Sequence, residues 1–231
     1  MEIYSNQTII AGLSIKNYAR LTGFAYFLLI PLGIFGIMYI STLVIEGDLD
    51  ATIANLWGNQ GLFKLSMLAA LLVQIVDILL ALMLYRLFVS VNRTAAQLLV
   101  LMAMLGIPIA LLNEMNHGAI LLVLNNTDLS DSLVALFLGI HEYGIVIAGI
   151  FWGLWLFPMG YLVYKSNFMP KIIGIALMIG CFGYLIDSFI FILNPDFGFK
   201  FAQFMFIGEV LMVFWLLIMG VNEEKWRVWL D

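Results

Sequence analysis

Six long apolar runs, separated by short polar stretches, fill most of the chain. They lie at about residues 21–45, 62–87, 95–124, 133–164, 172–193 and 201–221. A helix needs ~20 mainly apolar residues to cross a bilayer, and each run meets that length. In hydrocarbon every backbone N–H and C=O needs an internal partner, so the runs must be helices. The pattern predicts an all-α membrane protein, one six-helix transmembrane domain over 1–231. Between spans 1 and 2, Asp48 or Asp50 can cap a short helix, and Leu49, Ile53, Leu56 and Trp57 follow at helical spacing. That predicts a short amphipathic surface helix over about 50–59, with Trp57 at the interface. Whether it acts as a lid is left open. The first residues include Glu2 and hold no basic stretch ahead of an apolar core, so no cleaved signal peptide is expected.

Composition agrees. The chain of 231 residues is 64% hydrophobic and 11% charged, with a mean hydropathy of +1.06. A soluble fold of this size cannot hide that much apolar surface. Of the 10 lysines and arginines, Lys16, Arg20, Arg86, Arg93, Lys165, Lys171, Lys225 and Arg227 fall on one side of a six-span arrangement. Lys64 and Lys200 fall on the other. The positive-inside rule then puts both termini in the cytoplasm and the protein, multi-pass, in the cytoplasmic membrane. The partner implied is the lipid bilayer. Without a basic run there is no case for nucleic acid. The tail carries Trp226 and Trp229 among alternating charges, as an interfacial anchor would. The remaining aromatics, the methionines and Cys181 read as packing or lipid-facing residues.

The polar residues inside the spans carry the candidate chemistry, because ionisable groups at membrane depth usually face the protein interior or a cavity. Asn113-Glu114-Met115-Asn116-His117 interrupts span 3 shortly after Pro108, where a kink is expected. Span 4 holds His141 and Glu142, span 5 Asp187 and span 6 Glu209. At ~1.5 Å per residue these lie roughly 9–15 Å below the outer ends of their spans. Asp77 of span 2 lies deeper, on a small-residue stripe with Ser66, Ala70, Gln74 and Ala81, and reads as structural. The rest predict an outward-opening polar cavity between spans 3 and 6, lined by Glu114, His117, His141, Glu142, Asp187 and Glu209, with Asn113 and Asn116 beside it.

Glu114-x-x-His117 sets a carboxylate and an imidazole on one helical face, as at carboxylate–histidine metal sites in helical bundles. Glu114, His117, His141 and Glu209 could together hold a divalent Zn, Mn or Fe ion. A haem held by His117 and His141 is a weaker alternative. If the protein is an enzyme, it is a metal-dependent intramembrane one. A second reading is a proton- or cation-coupled small-molecule transporter, for which so short a chain would form a homo-oligomer. A third is a structural or interaction protein whose buried polar pairs only hold helices together. No P-loop, HExxH, GxSxG or CxxC pattern is present, which removes several common enzyme classes.

Several segments together resemble an uncharacterised bacterial membrane family, domain of unknown function 4386. They are Arg20-Leu-Thr-Gly23, Gly47-Asp48 with Asp50-Ala-Thr52, Leu84-Tyr-Arg-Leu87 with Val91-Asn-Arg93, and Pro170 with Gly174. To these add Gly183-Tyr-Leu-Ile-Asp187 and the most specific piece, Gly153-Leu-Trp-Leu-Phe-Pro-Met-Gly-Tyr-Leu-Val-Tyr-Lys-Ser166. The resemblance implies an integral membrane protein of this size and brings no activity or catalytic residue with it.

Overall fold

The computed structural model describes residues 9–10, 12–126 and 128–230. The start of the chain that bears on a signal peptide lies outside them. Among the described residues, six helices are long and apolar enough to cross a membrane: Ile15–Leu43, Gln60–Phe88, Arg93–Leu124, Ser132–Ser166, Lys171–Leu193 and Ala202–Met219. With an even number of crossings, the described start and end of the chain share one side.

Span 1 begins earlier than hydropathy implies. Ser14 caps α1 (Ile15–Gly33) by accepting from the Asn17 N–H at 3.3 Å. Lys16 and Arg20 therefore ride on the first turns of the helix rather than ahead of it. Beyond α1 the span loosens into a π-helical turn, Ile34–Met38, and ends in a 3₁₀ turn, Ile40–Leu43. Here Gly36 lies against span 2 so closely that a Cβ would sit 2.5 Å from the Ala70 amide nitrogen.

The surface helix α2 (Leu49–Gly58) is capped by Asp48, which accepts from the Ala51 N–H at 2.9 Å. Trp57 is exposed, while Leu56 is fully buried in a cluster with Phe63, Ile120 and Val134. Span 2 is α3 (Gln60–Phe88), and its stripe of Ser66, Ala70, Gln74 and Ala81 is buried as expected. Span 3 is α4 (Arg93–Leu124), a continuous helix that contains Pro108. Span 4 is α5 (Ser132–Leu154) and α6 (Leu156–Ser166), with a break at Trp155. Span 5 is α7 (Lys171–Leu193). Span 6 is α8 (Ala202–Met205) and α9 (Ile207–Phe214), interrupted at Phe206 and followed by a second π-helical turn, Trp215–Met219. Breaks and π-turns in the backbone fall in spans 1, 4 and 6, while α4 stays α-helical through Pro108.

Spans 3 and 4 pack along each other, as do α6 and α7, and span 1 lies between span 2 and span 6. Gly160 and Gly174 make the α6–α7 contact: a Cβ on either would stand 2.5 Å from the other's carbonyl oxygen. Span 1 is clasped to span 6 by Arg20, whose guanidinium donates to the Ile218 carbonyl at 2.8 and 3.1 Å. Gly220, at φ +68°, ends span 6.

The tail departs from the interfacial anchor expected of it. In α10 (Glu223–Arg227) Trp226 is buried, and its indole N–H donates to the Leu87 carbonyl at 3.1 Å. Trp229 donates to the Ser166 carbonyl at 2.8 Å. Both indoles are spent on the open C-terminal turns of spans 2 and 4, whose last carbonyls lack helical partners.

Candidate functional site

Span 3 and span 4 meet at a buried polar group. Glu114 and His117 stand one turn apart on α4, so their side chains reach the same patch. Glu114 Oε2 lies 3.0 Å from His117 Nδ1, and Glu114 Oε1 lies 3.4 Å from His141 Nε2 across the helix interface. The two imidazoles stack with centroids 3.7 Å apart and planes inclined by 28°. Phe63 packs edge-on to His117 at 5.4 Å. All three polar residues are buried, His117 to 1% exposure. One ligand atom from each falls within 4.8 Å of the others. The apolar cluster of Leu56, Phe63, Ile120 and Val123 surrounds this end of the bundle, so α2 helps to cover it.

Asn113 and Asn116 brace the group. Asn113 donates to the His141 carbonyl at 2.9 Å and accepts from Asn116 at 3.0 Å. The Asn113 amide occupies the space beside Gly144 that any larger residue there would fill. Asn116 therefore fixes Asn113, and Asn113 fixes the backbone that carries His141.

The other residues expected in this cavity are elsewhere. Glu209 lies in a separate central cavity of about 560 Å³, where it accepts from Tyr184 Oη at 3.0 Å and Tyr26 Oη at 3.4 Å. Asp77 lines that same cavity rather than only packing on span 2. Glu142 and Asp187 line a third space of about 280 Å³. Glu142 is exposed, turned about 100° away from His141 as adjacent helical residues must be. Asp187 caps the start of span 6, accepting from the backbone N–H groups of Phe201 and Ala202 at 2.6 and 2.8 Å. The expected single outward-opening cavity is therefore three places, because equal depth along different spans says nothing of rotation about each axis. Tyr26, Tyr184, Trp152 and Trp155, read from sequence as packing residues, prove to surround Glu209 and Asp77. A tyrosine in mid-span, with a hydroxyl that needs a partner, was the signal available for two of them.

Two carboxylate oxygens and two imidazoles form a mixed donor set that suits a divalent first-row ion. Bonds of ~2.0–2.2 Å place such ligand atoms about 3.4 Å apart at a tetrahedral site, so atoms up to 4.8 Å apart must close by as much as about 1.4 Å to grip one. The stacked rings leave no slot for a porphyrin between them, and the haem alternative loses its geometry.

A stretch of an uncharacterised protein from Archaeoglobus fulgidus is similar to this chain, 42% identical over 79 residues. That covers 34% of this chain and 48% of the relative, so the match spans about half of the relative's length. No solved structure matches. The family described as domain of unknown function (DUF4386) matches residues 21–220, from span 1 to the glycine that ends span 6, and the chain belongs to that family.

Proposed function

We propose that the protein binds a divalent transition-metal ion between spans 3 and 4, with Glu114, His117 and His141 as ligands. The observation behind this reading is the convergence of three buried donors, one per residue, within 4.8 Å. Burying a carboxylate and two imidazoles in an apolar bundle is costly unless they are paired, and an ion pairs all three at once. Three protein ligands leave a coordination position open, as catalytic metal sites do. There a bound ion would supply Lewis acidity. Glu209, on its own tyrosines, is not needed as a fourth ligand. The eight basic residues on the side of the termini favour a cytoplasmic membrane with both ends inside.

The test is elemental analysis of protein purified in detergent without chelators, beside Glu114→Gln and His141→Ala. One ion per chain in the parent, absent from both variants, is the expected result. Zn²⁺ or Mn²⁺ at about 100 times its Kd should also stabilise the parent by roughly 2.7 kcal/mol and leave the variants unmoved. A metal-free parent that no divalent ion stabilises would make Glu114 a plain hydrogen-bonded tie between two helices, the one alternative its bridging geometry favours.

A further inference from the structure

The central cavity has chemistry of its own, independent of the metal reading. At about 560 Å³ it is the size of a small-molecule site. It reaches all six spans, with lining residues from Tyr26 on the first to Glu209 on the last. Two carboxylates face it, Asp77 and Glu209. No lysine, arginine or histidine is among the described residues that line it. Glu209 is held in place by its two phenol donors, Tyr184 and Tyr26. Tyr26 is itself fixed edge-on to Trp155 at 6.1 Å. Among the described residues, none donates a hydrogen bond to Asp77. Trp152 adds an aromatic wall, and its buried indole N–H has no partner among the described residues.

Carboxylates set among tryptophan and tyrosine rings attract a cation twice, by charge and by the ring faces. The mouth adds a further condition. Ile34, Met38 and Phe206 border the cavity from spans 1 and 6, and all three are exposed apolar residues at membrane depth. The π-helical turn of span 1 and the break at Phe206 lie at this mouth. Irregular backbone at membrane depth is tolerated where it lines a cavity. A ligand that enters here arrives from lipid and must itself be partly apolar.

We propose that this cavity binds an amphipathic organic cation, an amine or quaternary ammonium with an apolar body. A phospholipid with such a headgroup fits worse, because its phosphate would meet two carboxylates and no basic partner.

The probe is tetraphenylphosphonium, measured by equilibrium dialysis against the full chain in nanodiscs. Tetraphenylborate, the same shape with the opposite charge, is the control. Empty nanodiscs give the lipid background. The cation should bind saturably, one per chain, at least tenfold tighter than the anion. Glu209→Gln and Asp77→Asn should each weaken the cation at least tenfold, while Glu114→Gln leaves it unchanged. Asp77→Asn decides the matter if Glu209→Gln fails to fold, since Asp77 accepts no hydrogen bond from the described residues. Equal binding of the two ions, no saturable binding above empty discs, or full affinity in Asp77→Asn would each overturn the proposal and leave the space to lipid chains. Because Glu114→Gln removes the metal ligand and not the cavity, failure here and failure of the metal reading are separable.

Discussion

Gly144→Ala adds one methyl group to the helix interface beside the candidate metal centre. That methyl lands on the Asn113 side chain. Asn113 can make room only by leaving its hydrogen bonds to the His141 carbonyl at 2.9 Å and from Asn116 at 3.0 Å. Hydrogen bonds between membrane helices are worth ~0.6 kcal/mol on average and up to ~1.7. Only the bond to the His141 carbonyl crosses between helices; adding ~0.5–1.5 kcal/mol for the bond from Asn116 within α4 puts the cost at about 1–3 kcal/mol. Asn113→Ala should cost a similar amount, for the same bonds. Once Asn113 is alanine the clash is gone, and Gly144→Ala should be close to neutral, aided by alanine's ~1 kcal/mol helix preference over glycine. The assay is reversible unfolding in mixed micelles, followed by circular dichroism, for both single variants and the double. A coupling of about 1–3 kcal/mol is expected. If the two costs simply add, within ~0.3–0.5 kcal/mol, Asn113 is not what Gly144 accommodates, and the account of how His141 is positioned fails.

Three further outcomes are expected. Gly160→Ala and Gly174→Ala should each lose about 1–3 kcal/mol, since both force backbones apart; Gly118→Ala, which meets open space beside His117, should be neutral or gain up to ~1 kcal/mol in the same unfolding assay. Asp187→Asn should destabilise by about 1–2 kcal/mol and speed hydrogen exchange at the Phe201 and Ala202 amides, because an amide has one acceptor oxygen where the carboxylate serves two N–H groups. Trp226→Phe should free the Leu87 carbonyl and make the tail measurably more sensitive to protease, while metal content stays unchanged.

The number of spans, the surface helix and the Glu114–His117 pair were legible from the sequence, because all three rest on local spacing. Asp48 can cap the surface helix and Leu49, Ile53, Leu56 and Trp57 follow at helical spacing; Glu114 and His117 need only one turn of α4. Partners from different spans were not legible. His141 and Glu142 are neighbours in the chain, yet one faces span 3 and the other span 5, a matter of rotation that depth cannot reveal. Tyr26 meets Glu209 across 183 positions of chain. Trp226 had the composition of a lipid anchor, and only the unpaired carbonyl at Leu87 explains why it turns inward.

Contact between the first and last spans has a consequence for biosynthesis. Arg20 and Ile218 are 198 residues apart, and at a ribosomal rate of ~5–20 residues per second about 10–40 s separate their appearance. Through that interval the Tyr26 hydroxyl waits for Glu209, and the close-packing surface at Gly23 waits for Leu216. Asp77, too, enters the membrane before the walls of its cavity exist. Span 3, by contrast, carries Glu114 and His117 on one turn and can insert with its acid already matched. Assembly of the bundle is therefore gated by the arrival of span 6, and a chain halted after span 5 would present to the bilayer, or to a quality-control protease, the groove that span 6 fills.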